Sequence, residues 1–136
     1  MACDYRELRV WQDAMSLAEA VYSITKEFPL DERFGLISQL RRAAVSAVSC
    51  IAEGNARGST GDYLRFLHMS SGSLAEVETQ VLLAERLEYV SPKDANSLPT
   101  SLHSVARQLQ SLKKALTRRL AQDTSFPIPH SPFPEE

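Results

Sequence analysis

Cysteine is almost absent from this chain. Cys3 and Cys50 are its only two, far apart in sequence. Two isolated thiols cannot make a disulfide scaffold and are expected to be reduced. No Cys-x-x-Cys or Cys/His cluster at ligand spacing occurs, so neither a metal nor another cofactor is expected. The histidines His68, His103 and His130 share no triad or ligand spacing, and the Glu-x-x-His pattern of bundle metal sites is missing. Five glycines exclude a collagen-like chain. No run approaches the ~18 apolar residues of a membrane span. A basic excess is lacking too: 15 Lys and Arg stand against 17 Asp and Glu, a net charge of −2, unlike a protein that coats nucleic acid. The start, Met1-Ala2-Cys3-Asp4-Tyr5-Arg6, has neither a basic n-region nor an apolar h-region, so the cytoplasm is the expected compartment.

What is present is an ordinary globular composition, 43% hydrophobic and 24% charged over 136 residues. That length suits one domain with a core of its own. The charge is unevenly placed. All 15 basic residues lie within 1–122, and Asp123, Glu135 and Glu136 leave the last stretch purely acidic. Between Asp94 and Asp123 there is no acidic side chain, whereas Arg107, Lys113, Lys114, Arg118 and Arg119 all fall there.

Apolar spacing of alternating three and four predicts four helices. The first, from about Tyr5 to Glu27, carries two adjacent seams. One is Leu8, Trp11, Met15, Ala18, Tyr22 and Thr25; the other is Val10, Ala14, Leu17, Val21, Ile24 and Phe28. Two seams imply a buried face wider than one neighbour needs, as in a bundle that also packs on other subunits. Phe28-Pro29 ends it. Asp31 is the expected N-cap of a second helix reaching about Asn55, with the seam Leu36, Leu40, Ala43, Ala47, Cys50 and Gly54. Its many small residues would let a partner helix come close. A glycine of Gly54-Asn55-Ala56-Arg57-Gly58 supplies the C-terminal turn, and Ser59 with Asp62 caps a third helix running to about Tyr89. Gly72 inside it implies close backbone packing or an irregularity. Ser91-Pro92 opens the fourth helix, which Pro99 is expected to kink or restart. The fold class is therefore all-α, an antiparallel up-and-down four-helix bundle over 1–122. Residues 123–136, which hold four of the seven prolines, read as an extended tail whose Pro129-x-x-Pro132 match is a common chance pattern.

Several of these segments together resemble a known family. Gln39-Leu40-Arg41-Arg42-Ala43-Ala44-Val45-Ser46 followed by Ile51-Ala52-Glu53-Gly54-Asn55-Ala56-Arg57 is similar to the signature of bacterial four-helix-bundle proteins associated with 23S rRNA intervening sequences. Leu8-Arg9-Val10-Trp11-Gln12, Phe28-Pro29, Tyr63-Leu64-Arg65-Phe66-Leu67 and Gly72-Ser73-Leu74-Ala75-Glu76 follow the same pattern, over roughly residues 5 to 120. Cys50 departs from it, standing where the family usually has Asn. The resemblance implies a ring-like homopentamer without enzymatic activity. It also implies distant kinship with the accessory protein of diversity-generating retroelements, which binds nucleic acid and a reverse transcriptase.

Two groups of residues are candidate sites. On the second helix Gln39, Arg42, Ser46, Ser49 and Glu53 form a polar stripe within about 80° of arc. It is either a solvated flank or a buried or interfacial network, matched on another helix or subunit. The resemblance favours the network, to which Glu76 is added. A catalytic use of Arg42, Glu53 and Glu76 lacks a partner group or a nearby histidine. On the fourth helix Arg107, Lys114 and Arg118 align within about 40°, opposite the leucines, with Lys113 and Arg119 on the flanks. They are either a solvated face that favours the helix C-terminus, or a contact for the phosphate backbone of RNA or DNA. The expectation is a non-enzymatic homo-oligomer, off the membrane, that acts by association with nucleic acid or a nucleic-acid-processing protein. The alternative is a structural module with a protein partner only.

Overall fold

The computed structural model describes residues 4–124. Four helices follow in order: α1 Arg9–Thr25, α2 Leu36–Ala56, α3 Thr60–Arg86 and α4 Pro92–Thr124. Short 3-10 turns at Tyr5–Glu7 and Leu30–Glu32 precede α1 and α2. Each helix packs on its neighbours in sequence and α4 closes back onto α1; among the described residues no close backbone approach joins α1 to α3 or α2 to α4. Short connections make consecutive helices antiparallel, so this is the expected up-and-down bundle. The proline-rich stretch 125–136 lies outside the described residues; Asp123 and Thr124 are the last turn of α4.

The core holds Leu17 and Val21 from α1, Leu40 and Ile51 from α2, Leu67, Val77 and Val81 from α3, and Leu102, Val105 and Leu109 from α4. On α1 the two seams part company. Val10, Ala14, Leu17, Val21, Ile24 and Phe28 are all buried. In the other seam Ala18 and Thr25 are buried, Leu8 and Trp11 are half-buried, and Met15 and Tyr22 stay exposed at 37% and 42%. The protomer therefore covers one seam and leaves two of the six positions of the next open.

The closest approach is between α2 and α3. A Cβ on Gly54 would meet Phe66 Cβ at 2.8 Å and Tyr63 Cδ1 at 3.0 Å, so only hydrogen fits there. Gly58 takes the positive φ of 84° that turns the chain from α2 into α3. Ser70, in the middle of this seam, donates its hydroxyl to the Ala47 carbonyl at 2.6 Å, which removes the penalty of burying it.

Several local expectations are corrected. Asp31 is not an N-cap. It lies inside the 3-10 turn, whose backbone bonds Glu32 N to Pro29 O and Arg33 N to Leu30 O already engage those groups, and α2 starts five residues later behind Gly35. Pro99 does not restart α4, which runs through it unbroken. Leu98 and Leu102 on either side are buried at 3% and 2%, and that packing outweighs one missing N–H donor. Gly72 makes no close approach: nothing lies within 4 Å of where its Cβ would be. The helix ends also move. α1 begins at Arg9, after the 3-10 turn, and α3 stops at Arg86, where Glu88 at φ 62° turns Tyr89 N back onto Ala84 O at 2.9 Å. Ser59 and Ser91 cap as expected, accepting from Asp62 N at 3.1 Å and Asp94 N at 3.2 Å.

Candidate functional site

The polar stripe of α2 lies along the outer side of the α2–α3 seam. Two members are tied to α3. The Ser46 and Ser73 hydroxyls are bonded at 2.8 Å, and Gln80 Nε2 donates to Gln39 Oε1 at 3.2 Å. Ser49 is half-buried, and Arg42, Glu53 and Glu76 are exposed. Among the described residues none of these three charges has an ion-pair or hydrogen-bond partner. Within the protomer the stripe's charged members therefore face outward, while Ser46 and Gln39 bond to α3. What remains is an outward row of unpaired charges of both signs.

Cys50 lies under this stripe, buried, with its Sγ 3.9 Å from Ser46 Oγ. Burial pushes the thiol above its ordinary value; the Ser46 contact opposes this and the Glu53 charge adds to it. The thiol is packing rather than a nucleophile at neutral pH.

Beside the stripe the surface is apolar. The exposed large apolar side chains among the described residues are Met15 and Tyr22 of α1, Leu30 and Phe34 of the α1–α2 connection, Val45 of α2, and Met69, Leu82, Leu83 and Leu87 of α3 and its end. None is on α4. Met15, Tyr22, Val45 and Val48 line an open groove of about 440 Å³ between α1 and α2. A second groove runs on from it, also lined by Tyr22 and Val45, to Phe34, Ile37 and Arg41. Phe34 is 86% exposed, and sequence reasoning missed it because it falls between two helices where no periodicity operates. Arg41 was missed as well: its guanidinium sits 4.7 Å from the centre of the Tyr22 ring.

The five cations of α4 do not share one surface. Arg107, Lys114 and Arg118 are exposed in a row, as their spacing predicts. Arg119 is on the other flank, in a groove with Leu8, Asn55, Tyr63 and Leu116. Lys113 turns inward, only 8% exposed, and its Nζ donates to Ser71 Oγ at 2.8 Å. Among the described residues no three His, Cys, Asp or Glu side chains converge as a metal site would require. No helix there is long and apolar enough to cross a membrane.

A family model described as 23S rRNA-intervening sequence protein matches residues 6–111. The chain belongs to this family. The match spans the α2 stripe and Glu76 and takes in Arg107, but it ends before Lys113, Lys114, Arg118 and Arg119. The basic end of α4 is therefore a feature of this chain outside the matched span. No curated protein matches the sequence.

Proposed function

We propose that this member of the 23S rRNA-intervening sequence protein family acts by association rather than catalysis, as a cytoplasmic homo-oligomer that offers its α4 faces to nucleic acid. The observation that carries the reading is the division of the surface. Every exposed large apolar side chain among the described residues lies on α1 to α3 or their connections, and the aligned cations lie on α4. Apolar surface that the protomer leaves open is sheltered when copies meet over it. Arg42 on one copy and Glu53 or Glu76 on the next then supply charge complementarity that selects register. The pentamer that the family resemblance implies repeats three exposed cations per protomer around a ring, multiplying weak phosphate contacts. The family description, which ties these proteins to an rRNA element, supports RNA as the first nucleic acid to try.

Light scattering behind a sizing column, with and without RNA, tests both halves. A mass of several protomers and an RNA shift that fades with salt are expected. A single folded protomer at high concentration would overturn the assembly, and an oligomer that ignores RNA and DNA at low salt would leave a purely structural module.

A further inference from the structure

We infer that the groove between α3 and α4 at Lys113 binds a phosphate of a nucleic-acid backbone, with the Lys113 ammonium as its inner contact and Lys114 and Arg118 at its rim. This rests on the nucleic-acid reading above and adds the place and the group recognised.

Lys113 is the one charged side chain among the buried described residues. An ammonium has three N–H donors, and Ser71 Oγ, at 2.8 Å, takes one. No carboxylate among the described residues is within ion-pair distance of it; the ion pairs there join Arg6 to Asp4, Arg9 to Asp13, Arg65 to Asp62 and His103 to Glu78. Burying a cation beside a neutral hydroxyl alone is costly, and an anion brought to the remaining donors relieves that cost.

The surroundings select for such an anion. The groove is lined by His68, Gln110, Lys114, Thr117 and Arg118 with Lys113, and none of these is acidic. α4 has no acidic residue between Asp94 and Asp123, so nothing on this helix competes for the cations. A ligand with several charged oxygens around one centre can accept from the Lys113 and Lys114 ammonium groups and the Arg118 fork together, which describes a phosphate; the Thr117 hydroxyl is already donated to the Lys113 carbonyl at 2.8 Å.

The shape favours a chain of phosphates over an isolated ion. The groove is open and holds about 350 Å³. From its rim, at Arg118 and Lys114, the exposed cations continue along the helix to Arg107, a span of about 16 Å at the rise of an α-helix. At ~3.4 Å of rise per nucleotide, one strand crossing this row meets it over about five nucleotides. No Phe, Tyr or Trp ring lines the groove, so recognition is chiefly of the backbone rather than of stacked bases.

The test is the binding of a short fluorescein-labelled oligouridylate to the full chain, followed by anisotropy across a salt series. Lys113→Met keeps the apolar stem and removes the charge. It should weaken binding about tenfold and lower the salt slope by about one. Ser71→Asp guards against a folding artefact, because it places a carboxylate against the ammonium. It should raise the melting temperature while weakening RNA binding to a similar degree. Wild-type affinity and slope in both variants would overturn the inference and leave the nucleic-acid reading standing. Absence of binding by the wild type to RNA and to single-stranded DNA at low salt would end both. Calorimetric binding of inorganic phosphate as tight as that of the RNA, lost in Lys113→Met, would reassign the groove to a free anion and also overturn it.

Discussion

Arg41 on α2 donates through Nε to the Thr25 hydroxyl on α1 at 2.8 Å, and that hydroxyl in turn donates to the Val21 carbonyl at 2.8 Å. Thr25 is 1% exposed, so a polar relay crosses between the two helices next to an open apolar groove. The relay holds the Arg41 guanidinium over the Tyr22 ring and so shapes the surface offered for assembly. Thr25→Val preserves the shape and removes both bonds. It should cost about 1–2 kcal/mol, read as a lower urea midpoint with an unchanged slope.

Gly54 and Gly72 should respond in opposite directions to alanine. At Gly54 the new methyl collides with Phe66 and Tyr63, so a loss of about 1–3 kcal/mol is expected, with α2 and α3 forced apart. At Gly72 the space is empty, and alanine should add about 0.5–1 kcal/mol through its helix propensity. Thermal unfolding of the pair checks this. A destabilised Gly72→Ala that also loses oligomer mass would place the outer face of α3 within the subunit contact.

Arg42→Ala and Glu53→Ala remove charges with no partner in the protomer. Little change in protomer stability is expected, within about 0.5 kcal/mol, since exposed substitutions seldom do more. The assembly should respond instead, with a lower mass in light scattering at equal helical content by circular dichroism. Combining the two should be far less than additive if the charges face each other across copies. Unchanged mass in both single variants would remove the stripe from the interface.

Cys50 supplies a pH test. Its folded-state value lies above the ordinary thiol value because burial disfavours the thiolate, so the folded chain holds this proton longer than the unfolded one. The neutral thiol's contribution is present in full below the unfolded value. It is lost as pH rises through the folded value. Alkylation at mildly alkaline pH should therefore be slow in the native protein and fast in urea. Mass spectrometry of the Cys50 peptide over time reads this directly, and equal rates in the two conditions would contradict a buried thiol.

The bundle was legible because its signals are periodic and redundant. In α2 all six predicted seam residues, from Leu36 to Gly54, are buried, and Ser59 and Ser91 cap as their spacing indicates. The errors fall where a local rule met a competing contact. Asp31 has the chemistry of a cap, yet the turn after Pro29 engages the backbone first. Pro99 has the chemistry of a break, but buried leucines on both sides hold the helix together. The site was legible only in part: periodicity placed Arg107, Lys114 and Arg118 in one row and could not turn Lys113 inward toward Ser71.

From the chain order alone come the number of helices, their seams, and the α2 stripe and α4 row that each follow a single helical period. These properties repeat along one axis, and one axis is what a linear pattern records. Which half of a double seam is covered, which charges go unpaired and which lysine ends beside a neutral hydroxyl depend on where the other three helices stand. Those answers are set by packing between segments distant in sequence, and only the folded bundle brings Lys113 to Ser71 and leaves Arg42 facing outward.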